Sequence, residues 1–229
     1  RLLATGVDHV VWQIGTSEFT RPASDEVLGW IETGVDHVTL EHPSVTPWAW
    51  IHITCDLETE EGEPFFHLPL KADPTLGAFV HTTMFYTVSD PAPVYECESF
   101  SHQLDFLEAA NGEREQVFFP ETAWWLGFDD NLPLLMPVTG WSREQDITRM
   151  VRDYDVMGHV TFTTGREWTY WQYDHYLSVA TWDASLSWSD YLDRLSPIYG
   201  GATVEALKQW TARQVEDFYV TNPEIYFYI

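Results

Sequence analysis

Short hydrophobic segments alternating with amphipathic ones predict an α/β fold of βα units around a mainly parallel sheet. Two observations narrow this to a (β/α) barrel-like architecture. The hexapeptide TGVDHV occurs at residues 5–10 and again at 33–38, and a 28-residue repeat fits one (β/α) barrel unit. Each copy also leads into a short β-branched, apolar run. We expect one barrel-like domain over residues 1–229, with an acidic insertion near 41–73 and a C-terminal helix near 203–219. The sequence begins Arg1-Leu2-Leu3-Ala4, just before the first copy, without an initiator Met or a signal peptide. Arg1–Thr5 then reads as the last turn of a helix stopped by Gly6, so we expect a fragment of a longer chain, incomplete at its N-terminus.

The elements follow in order. Val10–Ile14 and His37–Leu40 read as short buried strands, each after Gly-Val-Asp. Between them, Ser24–Thr33 is a helix with Ser24 as N-cap, Asp25 and Glu26 in the first turn, and Gly34 as the stop. The Glu41–Asp73 stretch, with Trp48, Trp50, His52 and the run Glu58–Glu61, reads as a solvated insertion. Gly77–Thr87 is β-branched and aromatic, with its strand at Phe79–Tyr86. Phe100, Leu104 and Leu107 share one face of a helix from Ser99 to Ala110, stopped by Asn111-Gly112. Gln116–Pro120 is a fourth strand, and Leu134–Val138 a fifth that Pro137 weakens. Ser142-x-x-Gln145 is a capping box before the apolar stripe Ile147, Met150, Val151 and Tyr154. His159–Thr163 is a further strand. The C-terminal helix carries Leu207, Trp210 and Phe218.

Composition excludes several classes. Hydrophobic residues at 45% and aromatics at 16% exclude a disordered chain. No apolar run approaches the roughly 18 residues of a membrane span. With 36 Asp+Glu against 11 Lys+Arg, the formal charge of −25 argues against a nucleic-acid partner. Only Lys71 and Lys208 are lysines; the other cations are arginine. An acid-rich, lysine-poor surface fits salt adaptation, and fits equally an acidic protein from a GC-rich genome. Two cysteines exclude a disulfide-dense scaffold or a four-cysteine zinc site, and leave one Cys55–Cys97 bridge open. There is no G-x-G-x-x-G, P-loop or H-E-x-x-H, so no cofactor and no metal are expected. His37, Glu41 and His42 have a ligand-like spacing, which acidic chains generate freely. Gly15–Phe19 lacks the second glycine of a nucleophile elbow.

Two segments carry the candidate chemistry. In FFPETAWW (Phe118–Trp125) and TTGREWTYW (Thr163–Trp171), a hydrophobic strand ends, a glutamate follows at once, and tryptophans come directly behind. Strand carboxyl ends form the active-site face of a (β/α) barrel. Glycoside hydrolysis needs two carboxyl groups across one cleft, and Glu121 and Glu167 are the candidates. Trp124, Trp125, Trp168 and Trp171 offer flat faces on which sugar rings stack, and Arg166 could hold a neighbouring carboxylate ionised. Asp129, Asp130, Asp174 and His175 are further polar candidates. The competing reading is structural: Glu121 caps the next turn, Glu167 pairs with Arg166, and the tryptophans fill cores.

PETAWWLGFDDNLPLLMP (Pro120–Pro137) and GREWTYWQYDHY (Gly165–Tyr176) resemble two motifs of an uncharacterised family of large bacterial proteins, which read close to PETAYW-x-x-FD-x-x-VPLFLP and GWEWGYW-x-x-D. The resemblance covers roughly Phe79–Asp183 and implies a suspected glycoside-hydrolase-like (β/α) barrel. Glu121, Trp125, Asp129, Glu167, Trp171 and Asp174 fall on its matching positions. Arg166 stands where the family has Trp and Thr169 where it has Gly, which argues against an identical substrate. The expectation is a carbohydrate-active hydrolase acting on an oligo- or polysaccharide, with a secreted or cell-envelope location favoured over a cytoplasmic one. The alternative is a non-catalytic carbohydrate- or partner-binding barrel protein.

Overall fold

The computed structural model describes residues 3–13, 22–50, 52, 55–95, 97–121, 135–161 and 167–221, with the backbone alone at 4 and 167–169. Five strands form one parallel sheet in the order β1-β2-β3-β4-β5: β1 His9–Gln13, β2 Thr46–Trp50, β3 Gly77–Thr82, β4 Gln116–Pro120 and β5 Gly158–His159. Helices fill the connections: α1 Ser24–Glu41, α2 Ser101–Ala110, α3 Val138–Asp153 and α4 Glu167–Ala180. Three more, α5 Trp188–Arg194, α6 Ser196–Tyr199 and α7 Gly201–Val215, complete the C-terminal part before a π-helical turn at Glu216–Thr221. No helix among the described residues is long and apolar enough to cross a membrane. The fold is therefore α/β with a parallel sheet, as the alternation of elements predicted. Among the described residues no pairing joins β5 back to β1.

Register gives the sheet two different faces. Ala49, Ala78, Val80 and Phe118 alternate outward and pack under Val27, Ile31 and Val35 of α1, Phe106, Leu107 and Ala110 of α2, and Met150 of α3. Each of these larger side chains contributes about 1.5–3 kcal/mol by leaving water. A second core lies among the helices, where Tyr170, Tyr173 and Tyr176 of α4 meet Trp188, Tyr191 and Leu192 of α5 and Val138 and Ile147 of α3.

The second TGVDHV copy is not a strand. Val27, Ile31, Val35 and Val38 recur at helical spacing and form one buried stripe, so α1 runs on to Glu41 and His37–Leu40 is helical. Gly34 does not stop it. The glycine is needed for close approach instead, since a Cβ there would meet the Trp12 ring at 2.8 Å. Ser24 is the first helical residue rather than the cap, which is Ala23. Its hydroxyl and amide both donate to the Glu60 carboxylate, which closes the helix start.

The acidic insertion is in part core. It holds β2 and a 3-10 helix at Phe65–Lys71 whose Phe65, Phe66 and Leu68 are buried. Pro47 does not prevent β2, whose sequence TPWAW pairs along its whole length with β1. The third strand stops at Thr82 rather than Tyr86, because Met84 adopts φ 56° and turns the chain away. Ser142 caps nothing: α3 begins at Val138, and the Ser142 hydroxyl donates back to the Val138 carbonyl within the helix. The expected strand Leu134–Val138 thus meets a helix start at its last residue, and 134 lies outside the described residues. Val151 is exposed rather than part of the apolar stripe. β5 covers only Gly158–His159; residues 162–163 of the expected strand, like Ile14 of the first, lie outside the description. The expected 203–219 helix starts two residues earlier, and its last part is π-helical. Leu3–Thr5 is a short 3-10 turn followed by Gly6 at φ 84°.

Candidate functional site at the carboxyl ends of the strands

The face of the sheet opposite α1 and α2 is aromatic. Trp48 and Trp50 of β2, Phe79 and His81 of β3, and Phe119 of β4 alternate onto it. Their ring centroids lie 5.5 Å apart for Trp48–Phe79, 5.1 Å for Trp50–Phe119 and 4.9 Å for His81–Phe119. Toward the carboxyl ends, His52 stands 5.4 Å from His81 and 5.6 Å from Tyr95. Toward the amino ends the face opens into a groove of about 310 Å³ lined by His9, Val11, Trp48, Phe79, Val117 and Val160.

Glu121 follows β4 directly and is 9% exposed. Its amide donates to the Thr82 carbonyl at 3.0 Å, continuing the β3–β4 ladder one residue past the strand. Its carboxylate accepts the Met84 N–H at 2.6 Å. A main-chain donor that close to a carboxylate is a charge-assisted bond, and it fixes the side chain's direction. The positive φ of Met84 is what aims that N–H, and such backbone persists where surrounding structure holds it. Here the holding is dense. Tyr219 donates to the Phe85 carbonyl at 2.8 Å, Arg143 to the Tyr86 carbonyl at 2.6 Å, and the Val88 N–H donates to Asp146 at 2.9 Å. Arg143 also donates to the carbonyl of Glu121 itself at 3.1 Å and pairs with Asp146 at 3.1 Å. Both members of this ion pair are 1% exposed. Burial pushes the Asp146 carboxyl up to about 6, against the opposing pull of Arg143 and of the Val88 amide.

His81 is fully buried, with Nδ1 3.0 Å from the Phe119 carbonyl. A carbonyl accepts only, so Nδ1 carries the proton there. Burial, reinforced by the neighbouring His52, depresses the ring to about 3, although the Phe119 carbonyl favours the charged form. His81 is therefore neutral at physiological pH. A disulfide joins Cys55, behind His52, to Cys97, behind Tyr95, with their Cα atoms 4.9 Å apart. It ties the segment after β2 to the segment after β3. Tyr95, like Met84, has a positive φ, at 49°.

Of the residues singled out from sequence, Glu121 stands at a strand end, buried and oriented. Glu167 is the first residue of α4, but its side chain lies outside the described residues, as do Trp124, Trp125, Asp129, Asp130, Arg166 and the Trp168 side chain. Trp171 is half-buried on α4, with its ring 6.0 Å from His175 and 6.1 Å from Tyr199. Asp174 lies half-buried on the same helix. Among the described residues, no three or more His, Cys, Asp or Glu gather as a metal site. Sequence reading missed His81, Tyr95, Met84, Arg143 and Asp146, and left His52 in a solvated insertion. Two of these were findable: Arg143 and Asp146 share a helical face with Ile147 and Met150, and charges on an apolar stripe mark a buried pair. Comparison with models of known protein families, with curated proteins and with solved structures finds no match.

Proposed function

We propose that the protein is a carbohydrate-active hydrolase of (β/α) barrel type, with Glu121 and Glu167 as its two carboxyl groups. One observation carries this reading. Glu121 is buried at the carboxyl end of a parallel strand, aimed by a main-chain N–H, beside a shelf of aromatic and imidazole rings. That is the end of a parallel sheet where active sites are built. The strand order supports a barrel, since consecutive strands are neighbours throughout, whereas doubly wound sheets reverse their order at a switch point.

In this reading an oligo- or polysaccharide lies across the strand ends. Trp50 of β2, Trp124 and Trp125 after β4, and Trp168 and Trp171 of α4 stack against its rings. Asp129, Arg166 and Asp174 bind its hydroxyls. Glu121, accepting the Met84 N–H, suits the role of nucleophile or base, and Glu167 that of the acid. No cofactor takes part. The Cys55–Cys97 bridge supports a secreted or cell-envelope location, because such bonds persist in oxidising compartments. The acid-rich composition supports a salt-adapted source.

The test is hydrolysis of a polysaccharide panel by the wild type, Glu121→Gln and Glu167→Gln. Loss of at least about 10³-fold in either variant, with unchanged circular dichroism, is expected for a residue of a catalytic pair. A wild type that binds a polysaccharide without cleaving it favours the binding-protein reading instead, which the aromatic shelf alone would serve. Carboxyl groups about 5–5.5 Å apart would make the enzyme retaining, and about 6.5–9.5 Å inverting.

A further inference from the structure

We propose that Arg143 and Asp146 are positioning residues for Glu121, and that the charge on Asp146 sets where the Glu121 carboxylate is held. The inference rests on the reading of Glu121 as a functional carboxylate and adds a regulation of that site. It comes from connectivity. The Arg143 guanidinium touches the site twice, at the carbonyl of Glu121 and at the carbonyl of Tyr86. Tyr86 lies two residues beyond Met84, whose N–H holds the Glu121 carboxylate. One guanidinium thus holds the backbone of the acceptor residue and the backbone two residues beyond the donor. Asp146 completes the frame, pairing with Arg143 on one oxygen and accepting the Val88 N–H on the other.

An ionised Asp146 balances the buried guanidinium. A neutral one still accepts from Val88 but no longer holds Arg143 by charge, and an uncompensated buried cation must shift toward other acceptors. The carbonyls of Tyr86 and Glu121 then move with it, and the Met84 N–H moves relative to the carboxylate it aims. Among the described residues, four charged or titratable groups face Asp146. Arg143 and Arg149 approach from α3 itself, Asp90 from the segment after β3, and Tyr219 from the C-terminal π turn. His159 of β5 faces Arg143 and titrates only near 4. Burial of Asp146 places its own titration near 6, within the range where enzymes work.

The experiment is an NMR titration of the isotopically labelled full chain from pH 5 to 8. It follows the Asp146 side-chain carboxyl carbon and the Met84 amide. Both are expected to move with one midpoint near 6, and the Met84 step is expected to vanish in Asp146→Asn but survive in His52→Gln. A flat Met84 amide, a midpoint different from that of Asp146, or a step that persists in Asp146→Asn overturns the proposal. Should Asp146→Asn not fold, the comparison of the two wild-type midpoints decides alone. In the hydrolysis assay, kcat should fall below the same midpoint with KM steady. A chain that cleaves no polysaccharide removes the hydrolase reading and leaves the coupling standing. An active chain without the coupling does the reverse.

Discussion

The two faces of the sheet are built from the same five strands and obey different rules. The outward face, Ala49, Ala78, Val80 and Phe118, is small, aliphatic and sealed by α1, α2 and α3. The inward face carries Trp48, Trp50, Phe79, His81 and Phe119, and part of it is open: Val11 and Val160 are each 40% exposed. A parallel sheet normally has both faces covered. The difference teaches where each face puts its chemistry. One holds the molecule together, and the other presents rings and imidazoles beside an oriented carboxylate.

Truncation should separate the faces most sharply. Phe118→Ala removes a fully buried ring and is expected to cost about 3–5 kcal/mol, whereas Phe79→Ala, half-buried on the inward face, should cost about half that. Equilibrium denaturation of both variants measures it, and equal losses would erase the distinction. Next in size is the bridge over the inward face. Reducing Cys55–Cys97, which spans 42 residues, should lower stability by about 2–4 kcal/mol. Thermal melts with and without a thiol reductant read this directly.

Gly77 tests how tightly the inward face packs where it is closed. A Cβ at Gly77 would lie 2.3 Å from the Trp48 ring, so Gly77→Ala should cost about 1–3 kcal/mol through forced displacement of Trp48. The most diagnostic effect is in pH dependence, where His81 and Asp146 carry opposite signs. His81 titrates near 3 when folded and about 6.5 when unfolded, so the unfolded chain binds the extra proton. Stability therefore falls as pH drops from about 6.5 toward 3, by at most about 1.4 kcal/mol per pH unit. Asp146 of α3 titrates near 6 when folded and near 3.8 when unfolded. Its contribution falls as pH rises from about 4 to 6 and is level above that. Urea unfolding from pH 4 to 7 should thus show a flatter acid limb in His81→Gln and a steeper one in Asp146→Asn.

The outward face was largely legible in the sequence. β1, β3 and β4 announce themselves by β-branched and aromatic runs; α2 was legible as a helix, although Phe100 is its N-cap and its buried face is Phe106, Leu107 and Ala110 rather than Phe100, Leu104 and Leu107. α1 misled because the TGVDHV repeat was read as a repeated structure. Val35 and Val38 carry the helical period of Val27 and Ile31, and tertiary contact with Trp12 overrides the usual meaning of Gly34. β2 was hidden because the acidic 41–73 stretch, with its run Glu58–Glu61, read as a solvated insertion. Glu121 was legible because it directly follows an unmistakable strand. Its support was not, since the turn at Met84 depends on a backbone angle, and the Arg143 contacts join residues 22 and 57 positions apart.

The strand order has a consequence for how the chain assembles. Every strand pairs with the one made just before it, at separations of about 30–40 residues. Among the described residues each sheet pairing joins consecutive strands, so the loop-closure entropy of each is modest. Synthesis from the N-terminus can therefore lay the sheet down one strand at a time, each new edge docking as it emerges. The Glu121 frame is the exception. It needs β3, β4, α3 and finally Tyr219, so the oriented carboxylate is among the last features to mature.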